Sequence, residues 1–184
     1  MTIGGDGWVD GARRVASPNC DERPAGEVVS LLVIHNISLP PGVFGGPHID
    51  RLFTNTLDPD EHPFFAEIHP LRVSSHLLIR RDGELVQYVP LGRRAWHAGR
   101  SNFAGRERCN DFSIGIELEG TDALPYDDRQ YARLVEVSRA ILSAYPALTA
   151  ERIVGHADIA PGRKSDPGPV FDWPRYRAAL SGGG

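Results

Sequence analysis

Cysteine is scarce: Cys20 and Cys109 are the only two in 184 residues, far apart and without C-x-x-C spacing. That excludes a disulfide framework and a closed thiolate metal site, and both thiols are expected to be free. Long apolar runs are missing too. Nothing approaches the roughly 20 residues a membrane-spanning helix needs, and the opening MTIGGDGWVDGARRV holds no unbroken apolar stretch of the kind a secretory signal carries. A cytoplasmic protein that does not engage membranes is expected. Basic excess is the third absence. Lys plus Arg number 20 against 24 Asp plus Glu, a formal charge of -4, so nucleic acid is not an expected partner. With no internal repeat and no linker, the chain reads as a single domain over residues 1–184, its core at about 8–180. The closing Ser-Gly-Gly-Gly reads as a frayed end.

Gly (20) and Pro (15) are abundant, so loops carry much of the fold. SLLVIHN, residues 30–36, is a short apolar run of the kind a strand buried on both faces shows, with His35 at its end. Gly46-Pro47 opens a helix that puts Ile49, Leu52, Phe53 and Leu57 on one side. Residues 58–70, with three prolines and two histidines, read as a long loop. HLLIRRDGELVQYVP, residues 76–90, reads as a hairpin in which Asp82-Gly83 makes a two-residue turn with positive φ. Residues 92–111 lack periodicity but hold Trp96 and His97 among many cations, the look of a functional loop. FSIGIELEG alternates, placing Ser113, Gly115, Glu117 and Glu119 on one polar face. Asp127 with Gln130 forms a capping pair for a helix carrying Tyr131, Leu134, Val135, Ile141, Leu142 and Tyr145, stopped by Pro146. RIVGH is a further strand ending in His156, and a last helix follows Asp172. Strands and helices intermix throughout, so the fold class is α/β, a mixed central sheet flanked by helices.

His35 and His156 each follow a strand-like run, and Asp166 returns ten residues after His156 in a loop stiffened by proline. An extended Lys164-Ser165-Asp166 sends the Lys and Asp side chains to one side. Two imidazoles and a carboxylate with a fourth position open suit a catalytic zinc, whereas a structural zinc is closed by four protein ligands. Taken singly, each of these histidines also fits an ordinary hydrogen-bonded imidazole. No H-E-x-x-H or H-x-E…C-x-x-C spacing is present, which excludes the helical metalloprotease and base-deaminase signatures. Glu117 and Glu119 are equal candidates for a proton-transferring base on the residues alone. His76 and His97 are placed near a cleft; His48, His62 and His69 are read as loop or surface residues.

The segments SLLVIHNISLPPG, SSHLLIRRDGELVQYVP, RAWHAG, GRERCNDFSIGIELEG and GHADIAPGRKSDPGP, in this order between about Trp8 and Trp173, resemble the amidase-2 family. Within it they resemble the cytoplasmic bacterial branch that acts on 1,6-anhydro-N-acetylmuramyl-L-alanine. The resemblance implies a peptidoglycan-recognition-protein-like fold. It also implies a zinc amidase of peptidoglycan recycling, linked to β-lactamase regulation, that cuts the amide between muramic acid and L-alanine. One Zn2+ per chain would be held by His35, His156 and Asp166. Water on the metal would attack the carbonyl, with Glu117, chosen over Glu119 by the resemblance, as general base and acid and Lys164 at the oxyanion. Asn36, Arg72, Trp96 and Arg108 would contact an anhydromuramyl tri- to pentapeptide, with the protein a monomer. Phage-type relatives carry Cys in place of Asp166 and Tyr in the role of Glu117, so both residues suit the cytoplasmic branch. The alternatives are a recognition module that binds muropeptide without cutting it, and an amidase of intact wall; three ligands together disfavour the first.

Overall fold

The computed structural model describes residues 1–182. In chain order its elements are β1 (Arg13–Arg14), β2 (Cys20–Asp21), β3 (Leu31–Ile37), α1 (His48–Phe53), α2 (Pro63–Ile68), β4 (Leu77–Ile79), β5 (Leu85–Gln87), β6 (Arg94–Ala95), β7 (Asn102–Phe103), β8 (Arg106–Glu107), β9 (Ser113–Glu119), α3 (Asp128–Ala144), β10 (Ile153–Gly155), α4 (His156–Ile159) and α5 (Trp173–Ser181). Six strands form the central sheet in the order β1-β5-β4-β9-β3-β10. It is mixed: β9 runs parallel to both β3 and β4, and β10 parallel to β3, while β4 and β5 form an antiparallel hairpin. This is the architecture expected from the intermixed pattern of strands and helices.

Parity along the strands decides what each face carries. Leu32 and Ile34 of β3, Leu77 and Ile79 of β4, and Ile114, Ile116 and Leu118 of β9 join one core with Leu134, Val137 and Ile141 of α3 and Tyr176 of α5. Asp127 caps α3 in a complete capping box with Gln130, and the helix ends at Ala144, with Tyr145 as its C-cap just before Pro146. Each fully buried aliphatic side chain on this face contributes about 1.5–3 kcal/mol. The opposite face carries Leu31, Val33 and His35 alongside Ser113, Gly115 and Glu117, because β3 and β9 are in register with His35 opposite Glu117. Residues of β9 are therefore buried on both faces, although the sequence alternates; the polar side is covered by the 92–111 loop and the end of the sheet.

Three local expectations need correction. The segment read as a loop contains α2, which starts with Pro63 in its first turn and is capped by the His62 ring accepting from Phe64 N–H at 3.0 Å; proline in that position favours a helix. The hairpin loop has three residues, not two. Arg80 N–H donates to Glu84 O at 2.9 Å, enclosing Arg81-Asp82-Gly83, and of these only Gly83 has a positive φ (86°). Helix α1 stops at Phe53, so Leu57, though buried, lies beyond it. Pairings of two residues, as in β1 and β2, are too short to leave a pattern in the sequence. Ser181 ends α5, Gly182 caps it, and the rest of the expected frayed end lies outside the described residues. Cys20 and Cys109 are free. No helix among the described residues is long and apolar enough to cross a membrane.

Candidate metal centre and catalytic cleft

Adjacent strands deliver the site. β3 carries His35 two residues before its end, β10 stops at Gly155 so that His156, expected to end that strand, opens α4 instead, and the loop after α4 returns Asp166, whose carbonyl accepts from Ala157 N–H at 3.0 Å. The Nδ1 atoms of His35 and His156 lie 3.0 Å apart, and Asp166 Oδ2 lies 3.2 Å from the first and 3.1 Å from the second. All three are sheltered, with His35 1% and His156 3% exposed and the Asp166 side chain 13%. Burial holds the His35 pKa down to about 4, partly offset by the neighbouring Asp166. Burial works against the Asp166 charge, yet the adjoining His156 and His35 rings prevail and lower its pKa. A neutral imidazole beside an ionised carboxylate is the protonation state that a metal requires of its ligands.

These residues fit zinc on geometry as well. A tetrahedral ion bound at about 2.0 Å spaces its ligand atoms about 3.3 Å apart, close to the observed triangle. His156 Nε2 faces the Ala98 carbonyl at 3.2 Å and so carries the ring proton, leaving the Nδ1 lone pair aimed at the centre. Three electron-rich atoms pointed at one spot repel each other unless a cation lies between them.

The centre opens into a cleft of about 780 Å³ that Glu117, Asn36, Trp96, His97, Asp122 and Lys164 also line. Glu117 is 8% exposed, and its Oε2 has no hydrogen-bond partner. Burial, reinforced by Asp166 and partly offset by Lys164, raises its pKa well above the ordinary range. Glu119 shares its face but is spoken for: Oε1 accepts from Gly45 N–H (2.7 Å) and Arg80 Nη1 (3.2 Å), and Oε2 accepts from Arg81 N–H (3.1 Å). It lines a separate hollow of about 550 Å³, whose Arg13 and Arg80 are ion-paired with Asp50 and Glu84.

Residues 25–169 match the family model described as N-acetylmuramoyl-L-alanine amidase. The chain belongs to this amidase family. It is 67% identical over 175 residues to the 1,6-anhydro-N-acetylmuramyl-L-alanine amidase AmpD of Salmonella typhimurium, covering 95% of this chain and 93% of that protein. Its fold superposes on the crystal structure of a Se-Met AmpD derivative with a TM-score of 0.95, at 62% identity and with 98% and 100% of the two chains covered. The Escherichia coli amidase AmiD, solved with the substrate anhydro-N-acetylmuramic acid-L-Ala-D-γ-Glu-L-Lys, gives a TM-score of 0.61 at 30% identity, covering 96% of this chain and 65% of that one.

Within this amidase the structure gathers seven of the nine sequence-derived site residues in one cleft: His35, Asn36, Trp96, Glu117, His156, Lys164 and Asp166. Asn36 Nδ2 donates to Asp122 Oδ1 at 2.7 Å, and Trp96 Nε1 donates to Asp21 Oδ1 at 3.3 Å. Arg72 and Arg108 are not among the lining residues. Arg72 is exposed and turns Nη1 onto the carbonyls of His69, Pro70 and Leu71 at 3.2–3.3 Å. Arg108 is 72% exposed and pairs with Asp111 at 3.2 Å. Of the lesser histidines, His97 lines the cleft, whereas His76 is fully buried behind it, accepting from Gly115 N–H at Nδ1. Sequence reasoning missed Asp122 and Arg163. The second donates to Ala98 O and Arg100 O, at 2.8 and 2.7 Å, and neither residue stands in a pattern that sets it apart from a solvated charge.

Proposed function

We propose that this amidase hydrolyses the amide between (1,6-anhydro-)N-acetylmuramic acid and the L-alanine of a stem peptide in recycled peptidoglycan fragments. It would do so with one zinc ion held by His35, His156 and Asp166. The observation that carries the reading is the convergence of three donor atoms 3.0–3.2 Å apart beside the buried, unpartnered Oε2 of Glu117. Zinc bound there supplies Lewis acidity toward a water and toward the amide carbonyl.

Glu117 takes the proton of the attacking water at Oε2 and delivers it to the departing alanine nitrogen, a transfer worth typically ~10² to 10⁴ in rate. Its raised pKa suits the delivering half of that role, in which the carboxyl must hold the proton. Lys164 lies exposed on the cleft wall beside Asp166 and donates from Nζ to the carbonyl oxygen as charge builds on it. Asn36 offers a carboxamide and Trp96 a ring face to the sugar. Arg72 and Arg108 serve the distal carboxylates of the peptide from outside the cleft lining, Arg72 exchanging its carbonyl contacts for charge-assisted ones. The substrate named for AmiD, an anhydromuramyl tripeptide, supports this substrate class.

A module that binds without cutting has no use for an unpartnered buried carboxylate beside a three-ligand centre. The free thiols suit a reducing cytoplasm. The test is metal removal. Chelator-stripped protein should stop cleaving anhydromuramyl-tripeptide and regain activity with about one zinc per chain; full turnover in metal-free protein refutes the reading.

A further inference from the structure

His97 lies against His35 on the side away from the centre. Its Nδ1 is 2.9 Å from His35 Nε2, and its Nε2 is 3.1 Å from Ser113 Oγ. The two rings meet edge to face, with centroids 5.0 Å apart and planes at 89°. The seat for the His97 ring is Gly115: a Cβ there would come within 2.6 Å of the ring's Cγ and Nδ1, so only glycine lets the imidazole lie against β9. Three residues on one face of a single strand thus have separate tasks. Ser113 anchors the ring, Gly115 makes room for it, and Glu117 reaches the cleft.

The backbone around His97 is fixed as well. Asn110 Oδ1 accepts from His97 N–H at 3.1 Å and from Ala98 N–H at 2.8 Å. The Ala98 carbonyl in turn receives His156 Nε2 at 3.2 Å. Residues 97 and 98, pinned by one carboxamide, therefore contact the outer nitrogen of both imidazoles whose inner nitrogens face the centre. An outer hydrogen bond of this kind fixes which ring nitrogen carries the proton and how the ring is turned.

We propose that His97 is a positioning residue for His35. Its Nδ1 accepts a hydrogen bond from His35 Nε2–H and its own Nε2–H donates to Ser113 Oγ, holding His35 in the tautomer that presents Nδ1 to the metal. This rests on the zinc reading of the centre. His97→Asn keeps an acceptor where Nδ1 stands, whereas His97→Leu fills similar space with none. Zinc affinity measured by competition with a chromophoric chelator should fall about 10- to 100-fold in His97→Leu, the usual cost of an outer-shell partner, and recover most of the way in His97→Asn. Two outcomes overturn the proposal: His97→Leu binding zinc as tightly as the unsubstituted protein, or a KM change with zinc affinity intact, which would make His97 a substrate contact. Should His97→Leu fail to fold, ¹⁵N ring shifts of the unsubstituted metal-free protein decide. A protonated Nε2 and bare Nδ1 on His97 support the assignment, and the opposite tautomer overturns it. An unsubstituted protein that fails to bind zinc at all, while showing the expected tautomer, would sink the zinc reading and not the hydrogen-bond relay.

Discussion

Replacing Glu117 by Gln keeps the size of the side chain while removing its charge and its ability to take a proton, and two consequences of opposite sign follow. For turnover, the lost proton transfer should lower kcat by about 10² to 10⁴. Zinc should stay bound, because the three converging donors are on other residues. For stability the direction reverses. Burial raises the Glu117 pKa well above its ordinary 4.5, so below that pH the group is protonated whether the chain is folded or unfolded and contributes no difference. As pH rises, the unfolded chain releases the proton first and the folded chain keeps it. Stability is then lost at up to about 1.4 kcal/mol per pH unit until the folded pKa is reached. Gln has no proton to release, so metal-free Glu117→Gln should gain on the unsubstituted protein as pH rises above about 5. Urea unfolding of both metal-free proteins at several pH values, paired with zinc content and steady-state rates, checks both halves. A variant that turns over normally would refute the catalytic assignment. A stability gap that does not change with pH would refute the account of its buried carboxyl.

Lys164→Ala should lower kcat by about 10² to 10³ with little change in KM, as for a donor that strengthens in the transition state; an effect confined to KM would move Lys164 to ground-state binding. Arg23 spreads its N–H groups over the carbonyls of Leu91, Gly92, Asn110, Asp111 and Ser113 at 2.8–3.2 Å, clamping the loop that carries Trp96 and His97. Arg23→Lys offers three donors to those five carbonyls, so at least two are left bare and urea unfolding should show a loss of about 2–5 kcal/mol; a loss under about 1 kcal/mol would mean that water replaces the clamp. Arg72→Ala and Arg108→Ala should slow cleavage of anhydromuramyl-tripeptide far more than of anhydromuramyl-alanine, each removed charge-assisted contact being worth about 1.5–3 kcal/mol. Equal losses on both substrates would remove the peptide-clamp role.

The strands that lead to the two histidines are legible because strands buried on both faces leave continuous apolar runs, with His35 near the end of β3 and His156 directly after β10, at the end where sites collect. The period of two along β9 puts Glu117 and Glu119 on one face, but it says nothing of what covers that face. Only the register opposite His35 and the ties of Glu119 to Arg80 and Gly45 separate the two. Helix α2 is hidden because proline is both a loop former and a first-turn residue, and a six-residue helix is too short to show a period. His97 is legible as a cleft residue but not as a neighbour of His35. Its contacts with Ser113 and Gly115 cross from the 92–111 loop to β9, and no local spacing records them.

The central claim is that water, activated at the His35, His156 and Asp166 centre, opens the amide between muramic acid and L-alanine. The most direct measurement is to incubate the zinc-loaded protein with anhydromuramyl-tripeptide in H₂¹⁸O and weigh both products. The account predicts one ¹⁸O in the carboxyl of the released anhydromuramic acid and an unlabelled tripeptide with a free alanine amine. Intact substrate with zinc confirmed in the protein, or label carried on the peptide from cleavage elsewhere, would contradict it.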